Sequence, residues 1–260
     1  IEDLVSLFRS LSIKEGDNIL CFSKISSLGL VENGVEGVLS ALNQAIGDNS
    51  HFIVPTFSFS FCKQEVFDVQ NTESNCGNLT NFVRSVDGAY RSVHPNHSFT
   101  GLGPDVKSCL KMNDKTSFGV GSALKSMLDR DFKVLQLGIA DNTYIHYVEE
   151  LVGVEYRFSK SFTGTINDHA KVYEDTFELN VKRLGLEGLQ TQDRLTQKRI
   201  FWDSQYCTEV KSGYGRHRLF SARDYCDFHF DCLDKDPLYF VDKEKYYKSL
   251  ELLDKNEEIK

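Results

Sequence analysis

The segment from Asn18 to Pro55 constrains the fold more tightly than any other part of the chain. Asn18 to Phe22 is a short apolar run of strand type, and a loop follows it. Gly34 to Ile46 then repeats Val35, Val38, Leu39, Leu42 and Ile46 at helical spacing, before Gly47-Asp48-Asn49-Ser50 breaks the pattern and His51 to Pro55 resumes an apolar run. A 3.6-residue period between two short apolar runs predicts strand, loop, helix, strand. Strands joined in this way lie parallel, because the helix carries the chain back along the sheet before the next strand starts.

The remaining patterning extends that reading. Leu4, Val5, Leu7, Phe8 and Leu11 predict a leading helix that stops at Gly16, and residues 60–78 are polar, with an exposed turn at 71–75. Short helices are expected over Leu79–Val86 and Ser122–Leu128, a buried strand over Lys133–Leu137 and a helix over Thr143–Leu151, with Asp141 or Asn142 as its N-cap. From Phe158 the runs become shorter and alternate, as in Thr176–Val181, and a charged region from Arg183 to Arg199 follows. The tail from Asp242 to Lys260 reads as a surface helix. The expected architecture is a layered α/β/α fold with a mixed, largely parallel central sheet and an antiparallel extension in the second half. Residues 1–157 would form the α/β core that carries the chemistry and 158–260 would complete the site for the ligand it acts on, as one continuous domain.

Composition excludes several classes. With 30 basic and 38 acidic residues in 260, the net charge of −8 disfavours nucleic-acid and anionic-membrane binding and suits a cationic ligand. No apolar run reaches 18 residues, so no membrane span or membrane partner is expected, and Ile1-Glu2-Asp3 is not a basic secretory start. Seven cysteines without a Cys-x-x-Cys fit a reducing cytoplasm better than a disulfide framework. Dinucleotide, P-loop and α/β-hydrolase fingerprints are missing. Cys226, His229 and Cys232 are possible metal ligands, but the run reads as a folded segment with Phe228 and Phe230 alternating inward, and no metal is expected. A homodimer is left open.

Two segments carry chemistry. Arg91-Ser92-Val93-His94-Pro95-Asn96-His97-Ser98 places a cation, hydroxyls and imidazoles in a loop stiffened by proline. Asn142-Thr143-Tyr144-Ile145-His146-Tyr147-Val148-Glu149 sets an imidazole and a carboxylate three residues apart, on one face of a helix that starts just beyond a strand's carboxyl end. A histidine oriented by a carboxylate suits proton removal from an attacking amine, so His146 is read as general base and Glu149 as its orienting acid. Direct binding of a substrate ammonium by Glu149 is the open alternative.

The pairing resembles the aminoglycoside 3-N-acetyltransferase family, whose members carry Arg-Ser-x-His-Pro-x-x-Ser and, later, Thr-x-x-His-x-x-Glu. The likeness runs from Asp17 to about Glu150, through Val54-Pro55-Thr56-Phe57-Ser58, Gly77-Asn78-Leu79, Phe118-Gly119-Val120-Gly121-Ser122 and Val134-Leu135-Gln136-Leu137-Gly138. It implies an acetyl-coenzyme A co-substrate and a small amino-sugar acceptor, either an aminoglycoside or a nucleotide-linked sugar for surface polysaccharide. A sugar-binding protein that keeps the fold without activity is the rival. On the resemblance, Arg91, Ser92, His94, Ser98, Phe118 and Gly119 join Ser23, Lys24 and Ile25 at the coenzyme A site, and Thr56, Phe57, Asp141 and Asp224 at the acceptor site. Lys182, Arg183 and Arg199 would serve a nucleotide-linked acceptor. The chain departs from the family where His-Ser-Ser-Leu is usual, since Phe22-Ser23-Lys24-Ile25 stands there.

Overall fold

The computed structural model describes residues 1–168, 170–182 and 194–257. Its first elements are α1 (Glu2–Ser10), β1 (Ile19–Ser23), α2 (Gly34–Ile46) and β2 (Phe52–Pro55). The strand–helix–strand unit is present, and β1 and β2 pair in parallel, with Ile19 opposite Phe52. Next come β3 (Phe67–Asp68), α3 (Asn78–Ser85), β4 (Tyr90–Arg91), β5 (Phe99–Leu102), α4 (Val106–Cys109), α5 (Ala123–Leu128), β6 (Lys133–Leu137) and α6 (Tyr144–Val152). The second half adds β7 (Arg157–Asp168), β8 (Lys171–Lys182), α7 (Arg194–Trp202), β9 (Cys207–Ser212), β10 (Gly215–Ser221), α8 (Ala222–Lys235) and α9 (Lys243–Glu257).

Seven strands form one mixed sheet in the order β4-β5-β2-β1-β6-β10-β9. Its parallel part is the central β2-β1-β6 trio, and the strands on both flanks pair antiparallel. Successive side chains of a strand point to opposite faces, so each central strand feeds two cores. On one face Ile19, Cys21, Leu135 and Leu137 meet the buried sides of α1, α2 and α3. On the other, Leu20, Phe22 and Val134 meet α5, α6 and α8. The outcome is the expected α/β/α layering. The antiparallel extension consists of the β9–β10 hairpin on the main sheet and the β7–β8 ribbon, which pairs with β3 in a second sheet.

The crossing from β6 into α6 positions the chemistry. Gly138 turns the chain with φ +66°, and a Cβ there would lie 1.7 Å from the Ser27 Oγ, so glycine is required both by conformation and by space. Thr143, rather than Asp141 or Asn142, is the N-cap, and Asn142 Oδ1 accepts the Tyr144 N–H at 2.9 Å in a turn that leads into the helix. Tyr144, Ile145, Tyr147, Val148 and Glu149 are buried, which leaves His146 on the outward side of the first turn.

The reading of residues 226–232 needs correction. They lie within α8, whose period is helical, so Tyr225, Cys226, His229 and Leu233 are buried together while Phe230 is exposed. Among the described residues no three His, Cys, Asp or Glu side chains are gathered to hold a metal ion, and no helix is long and apolar enough to cross a membrane. Arg183 lies outside the described residues.

Candidate active site

One helical turn brings His146 Nδ1 to 2.7 Å from Glu149 Oε2. The Tyr156 hydroxyl donates to the other carboxylate oxygen at 3.0 Å, and Arg157 Nε, at the start of β7, stands 2.6 Å from Oε2. Burial alone would push the Glu149 carboxyl up, but His146, Arg157 and Tyr156 outweigh it and hold its pKa at about 2. Glu149 is therefore an anion at any physiological pH. Arg157 Nη2 also lies 2.9 Å from His146 Nδ1, yet a carboxylate at 2.7 Å is the stronger partner for that nitrogen. Nδ1 then carries the proton donated to Glu149, and the basic lone pair resides on Nε2. The imidazole remains partly open to solvent, with 27% side-chain exposure against 6% for Glu149.

A line of rings leads away from this pair. Phe118 packs 5.2 Å from His146, His97 4.6 Å from Phe118, and Phe57 edge-on 4.8 Å from His97. The structure thus sets Phe118 beside His146 and Phe57 at the far end of the line, against His97. Gly119 follows Phe118 in a cleft of about 330 Å³ that also touches Asp114, Tyr147 and Glu150. Burial, and then Asp114 and Glu178, raise the Glu150 carboxyl to about 7 against the pull of Arg157.

The 91–98 loop is directed inward. Arg91 is buried, and its guanidinium donates to the carbonyls of Val69, Thr72 and Thr56 and to the Ser98 hydroxyl. Ser98 donates to the Thr56 carbonyl at 2.7 Å, and Ser92 accepts the Phe99 N–H at 2.9 Å. Thr56 is enclosed by Ser98 and Thr100 at 3.1 and 3.0 Å. His94 accepts the backbone N–H groups of Asn96 and His97 on Nδ1. These residues tie the loop to the end of β2. The Phe118–Ser122 turn is also self-contained: the Gly119 N–H meets Thr116 Oγ1, the Gly121 N–H meets Asp114 Oδ2, and a Cβ on Gly121 would strike that carboxylate at 2.2 Å.

Ser23, Lys24 and Ile25 sit at the carboxyl end of β1, on the same sheet edge as the start of α6. Asp141 lies on that edge as well, paired with Lys198. Asp224 does not join them. Ser221 is opposite Lys133, so α8 starts at the amino end of β6, whereas the helix of His146 starts beyond its carboxyl end on the same face.

A family model for aminoglycoside 3-N-acetyltransferases matches residues 20–234. The chain belongs to that family. Among its relatives, the aminoglycoside N(3)-acetyltransferase III of Serratia marcescens is 27% identical over 176 residues, covering 59% of this chain and 65% of that protein. The aminoglycoside N(3)-acetyltransferase IV of a Salmonella species is 24% identical over 248 residues, covering 92% and 89%. The alignments with the Serratia protein and with a Streptomyces paromomycinus enzyme span less than two thirds of those relatives, 65% and 57%. Two solved structures share the fold, each with a TM-score of 0.78. AAC-IIIb in binary complex with CoASH is 20% identical, covering 90% of this chain and 96% of that one, and AAC-VIa bound to sisomicin is 18% identical, covering 90% and 97%.

In this family member, Arg157, Tyr156 and Glu150 are site residues that sequence reasoning missed. Tyr156 and Arg157 follow the Gly153 helix stop, and no spacing rule ties them to His146. The only available signal was Glu150 itself, a second carboxylate adjacent to a motif residue.

Proposed function

We propose that this acetyltransferase-family protein moves an acetyl or other short acyl group from acyl-coenzyme A directly onto an amine of an aminoglycoside. The observation that carries the reading is the His146–Glu149 pair, partly open at the carboxyl edge of the parallel strands, where open α/β sheets place their ligands. The donor supplies the acyl group as a thioester. As the acceptor nitrogen bonds to the acyl carbon and the carbon–sulfur bond breaks, His146 Nε2 takes the proton that the nitrogen sheds and can return it to the departing thiolate. Glu149 holds the ring by Nδ1 and balances the imidazolium while it lasts.

The residues at the edge fit such a donor. Among the described residues, neither the Ser23 hydroxyl nor the exposed Lys24 ammonium has a side-chain partner, and the buried Ser27 Oγ beside them has none either. Ser23 and Lys24 would hold the coenzyme, with the cation directed to its phosphates. The CoASH complex of AAC-IIIb and the sisomicin complex of AAC-VIa support this donor and this acceptor class, as does the net charge of −8 facing a polycation. Arg199, one of the cations suited to a nucleotide-linked sugar, is instead paired with Asp203 at 3.1 Å and Glu209 at 3.7 Å.

The test is thiol release from acetyl-coenzyme A in the presence of sisomicin, of other aminoglycosides and of nucleotide-linked amino sugars. Release with aminoglycosides, lost in a folded His146→Ala variant, supports the reading. Release only with nucleotide-linked sugars would move the acceptor class, and silence toward every amine, with no coenzyme A effect on the melting temperature, would favour a fold without activity.

A further inference from the structure

His97 is a side chain of the 91–98 loop that its surroundings engage on one ring nitrogen only. Its Nδ1 lies 2.9 Å from Ser117 Oγ, which is also 3.2 Å from His94 Nε2 and 3.1 Å from the Glu178 carbonyl. The protons along this chain can be placed. His94 Nδ1 accepts two backbone N–H groups, so its proton is on Nε2 and is donated to Ser117. The single Ser117 hydroxyl proton goes to the Glu178 carbonyl, which can only accept. His97 must then donate from Nδ1, which leaves the lone pair on Nε2. No atom of the described residues hydrogen-bonds that nitrogen, and it is not among the buried atoms that lack a partner, so it is open to solvent.

The surroundings of that lone pair are aromatic. Phe57 and Phe59 meet the His97 ring edge-on at 4.8 and 5.9 Å, and Phe118 lies 4.6 Å away on the path to His146. Burial, then the charges of His94, His146 and Arg157, push the His97 pKa well below the ordinary histidine range, so the ring is neutral at physiological pH. A lone acceptor in an apolar recess is satisfied by a ligand that brings a donor and leaves its remaining surface apolar.

We infer that His97 Nε2 accepts a hydrogen bond from a hydroxyl or ammonium group of the acceptor sugar that neighbours the amine deprotonated by His146, while Phe57 and Phe59 cover a C–H face of the sugar. The inference rests on the N-acyltransfer reading above and adds to it an acceptor-binding residue. An amino sugar carries O–H and N–H donors on the carbons flanking its amine, and a neutral imidazole receives them without repelling a polycation.

The experiment is calorimetric titration of sisomicin into wild type, His97→Phe, His97→Gln and His146→Ala, each saturated with coenzyme A, together with KM values for both substrates and melting temperatures. His97→Phe keeps an aromatic ring but removes the acceptor, and its dissociation constant and acceptor KM should rise about tenfold to a hundredfold. The KM for acetyl-coenzyme A should stay unchanged. His97→Gln returns an acceptor oxygen and should recover part of the binding, which also covers the case in which the phenylalanine variant does not fold. His146→Ala should bind sisomicin and release no thiol. Unchanged acceptor affinity in the His97 variants, or a rise in donor KM instead, overturns the inference and leaves the function intact. Thiol release by His146→Ala overturns the assignment of the base whatever His97 does, and failure of wild type to bind sisomicin overturns both for this acceptor.

Discussion

The two histidine-bearing segments look alike in sequence and behave oppositely in the fold. In α6, His146 is matched to an anion, stands partly open to solvent and keeps company with Arg157 and Glu149. In the 91–98 loop, His94 is fully buried, bonded to backbone N–H groups and held down to a pKa of about 4, chiefly by burial. The one cation of that loop, Arg91, points into backbone carbonyls. The lesson is that a recognisable polar segment can serve either reaction or architecture. What separates them is where each donor and acceptor ends, in the chain's own backbone or at an open edge.

The sharpest way to break the comparison is to remove one group from each region. His146→Ala should cut the rate of thiol release about 10²- to 10⁴-fold, the usual contribution of a positioned general base, while the melting temperature stays within a few degrees because the ring is only partly buried. Arg91→Met should do the reverse. It removes the Arg91 donors from the buried Val69 carbonyl, the partly buried Thr72 carbonyl and the Ser98 hydroxyl, and leaves the Thr56 carbonyl with Ser98 alone, at a cost of about 3 kcal/mol in urea unfolding. Its folded fraction should keep the wild-type KM for acetyl-coenzyme A. A large rise in that KM with unchanged stability would return Arg91 to the donor site.

How much of this was legible in the chain follows the range over which each feature is determined. The β1–α2–β2 unit, β6 and α6 are set by local periodicity, and the structure places them within a residue or two of the sequence expectation. The i,i+3 spacing of His146 and Glu149 is likewise local. The two-residue strand β3 is not, because Phe67 and Asp68 become a strand only by pairing with Ile166 and Asn167 about a hundred positions away. The chemistry of Arg91 was legible but its direction was not. Its carbonyl partners surround it because β2, β4 and β5 pair in this register and bring up the Thr56 backbone, while the pairing of β3 with β7 anchors the Val69–Thr72 backbone that follows it. Asp224 illustrates the same limit, since only the antiparallel sense of β10 reveals that α8 begins at the far edge.

Acid titration should separate the two regions by window. His94 has its folded pKa lowered from 6.5 to about 4, so the fold favours the neutral ring. Its contribution is complete above pH 6.5 and is lost as pH falls toward 4, the unfolded chain binding the proton first. His229, buried in α8, has a similarly lowered pKa and titrates in the same window. Glu149 has its folded pKa lowered from 4.5 to about 2, so its contribution is complete above pH 4.5 and is lost between there and 2. Urea midpoints measured in half-unit steps should therefore fall in two stages on acidification. His94→Asn should flatten the upper stage, and Glu149→Gln the lower one. His97 and His217 are lowered by burial as well and add to this stage. An upper stage left at full amplitude in the double His94, His229 variant would show that these two rings do not govern it.

The smallest expected effect lies between the two regions, at Glu150. Its carboxyl is raised from 4.5 to about 7 by burial and by Asp114 and Glu178, so the folded state holds a proton that the unfolded chain has already released. Stability is therefore lost as pH rises from 4.5 through 7, opposite in sign to the Glu149 window. Glu150→Gln removes that loss while keeping the side-chain shape, and the variant should melt about 1–2 °C above wild type at pH 8, an increment kept small by the partial exposure of the group. At pH 4.5 the two proteins should melt together. A gain that persists at pH 4.5 would show that the amide acts by packing or hydrogen bonding rather than by removing charge. A loss at pH 8 would show that the ionised carboxylate is wanted there, as it would be if Glu150 paired with Arg157 in competition with Glu149.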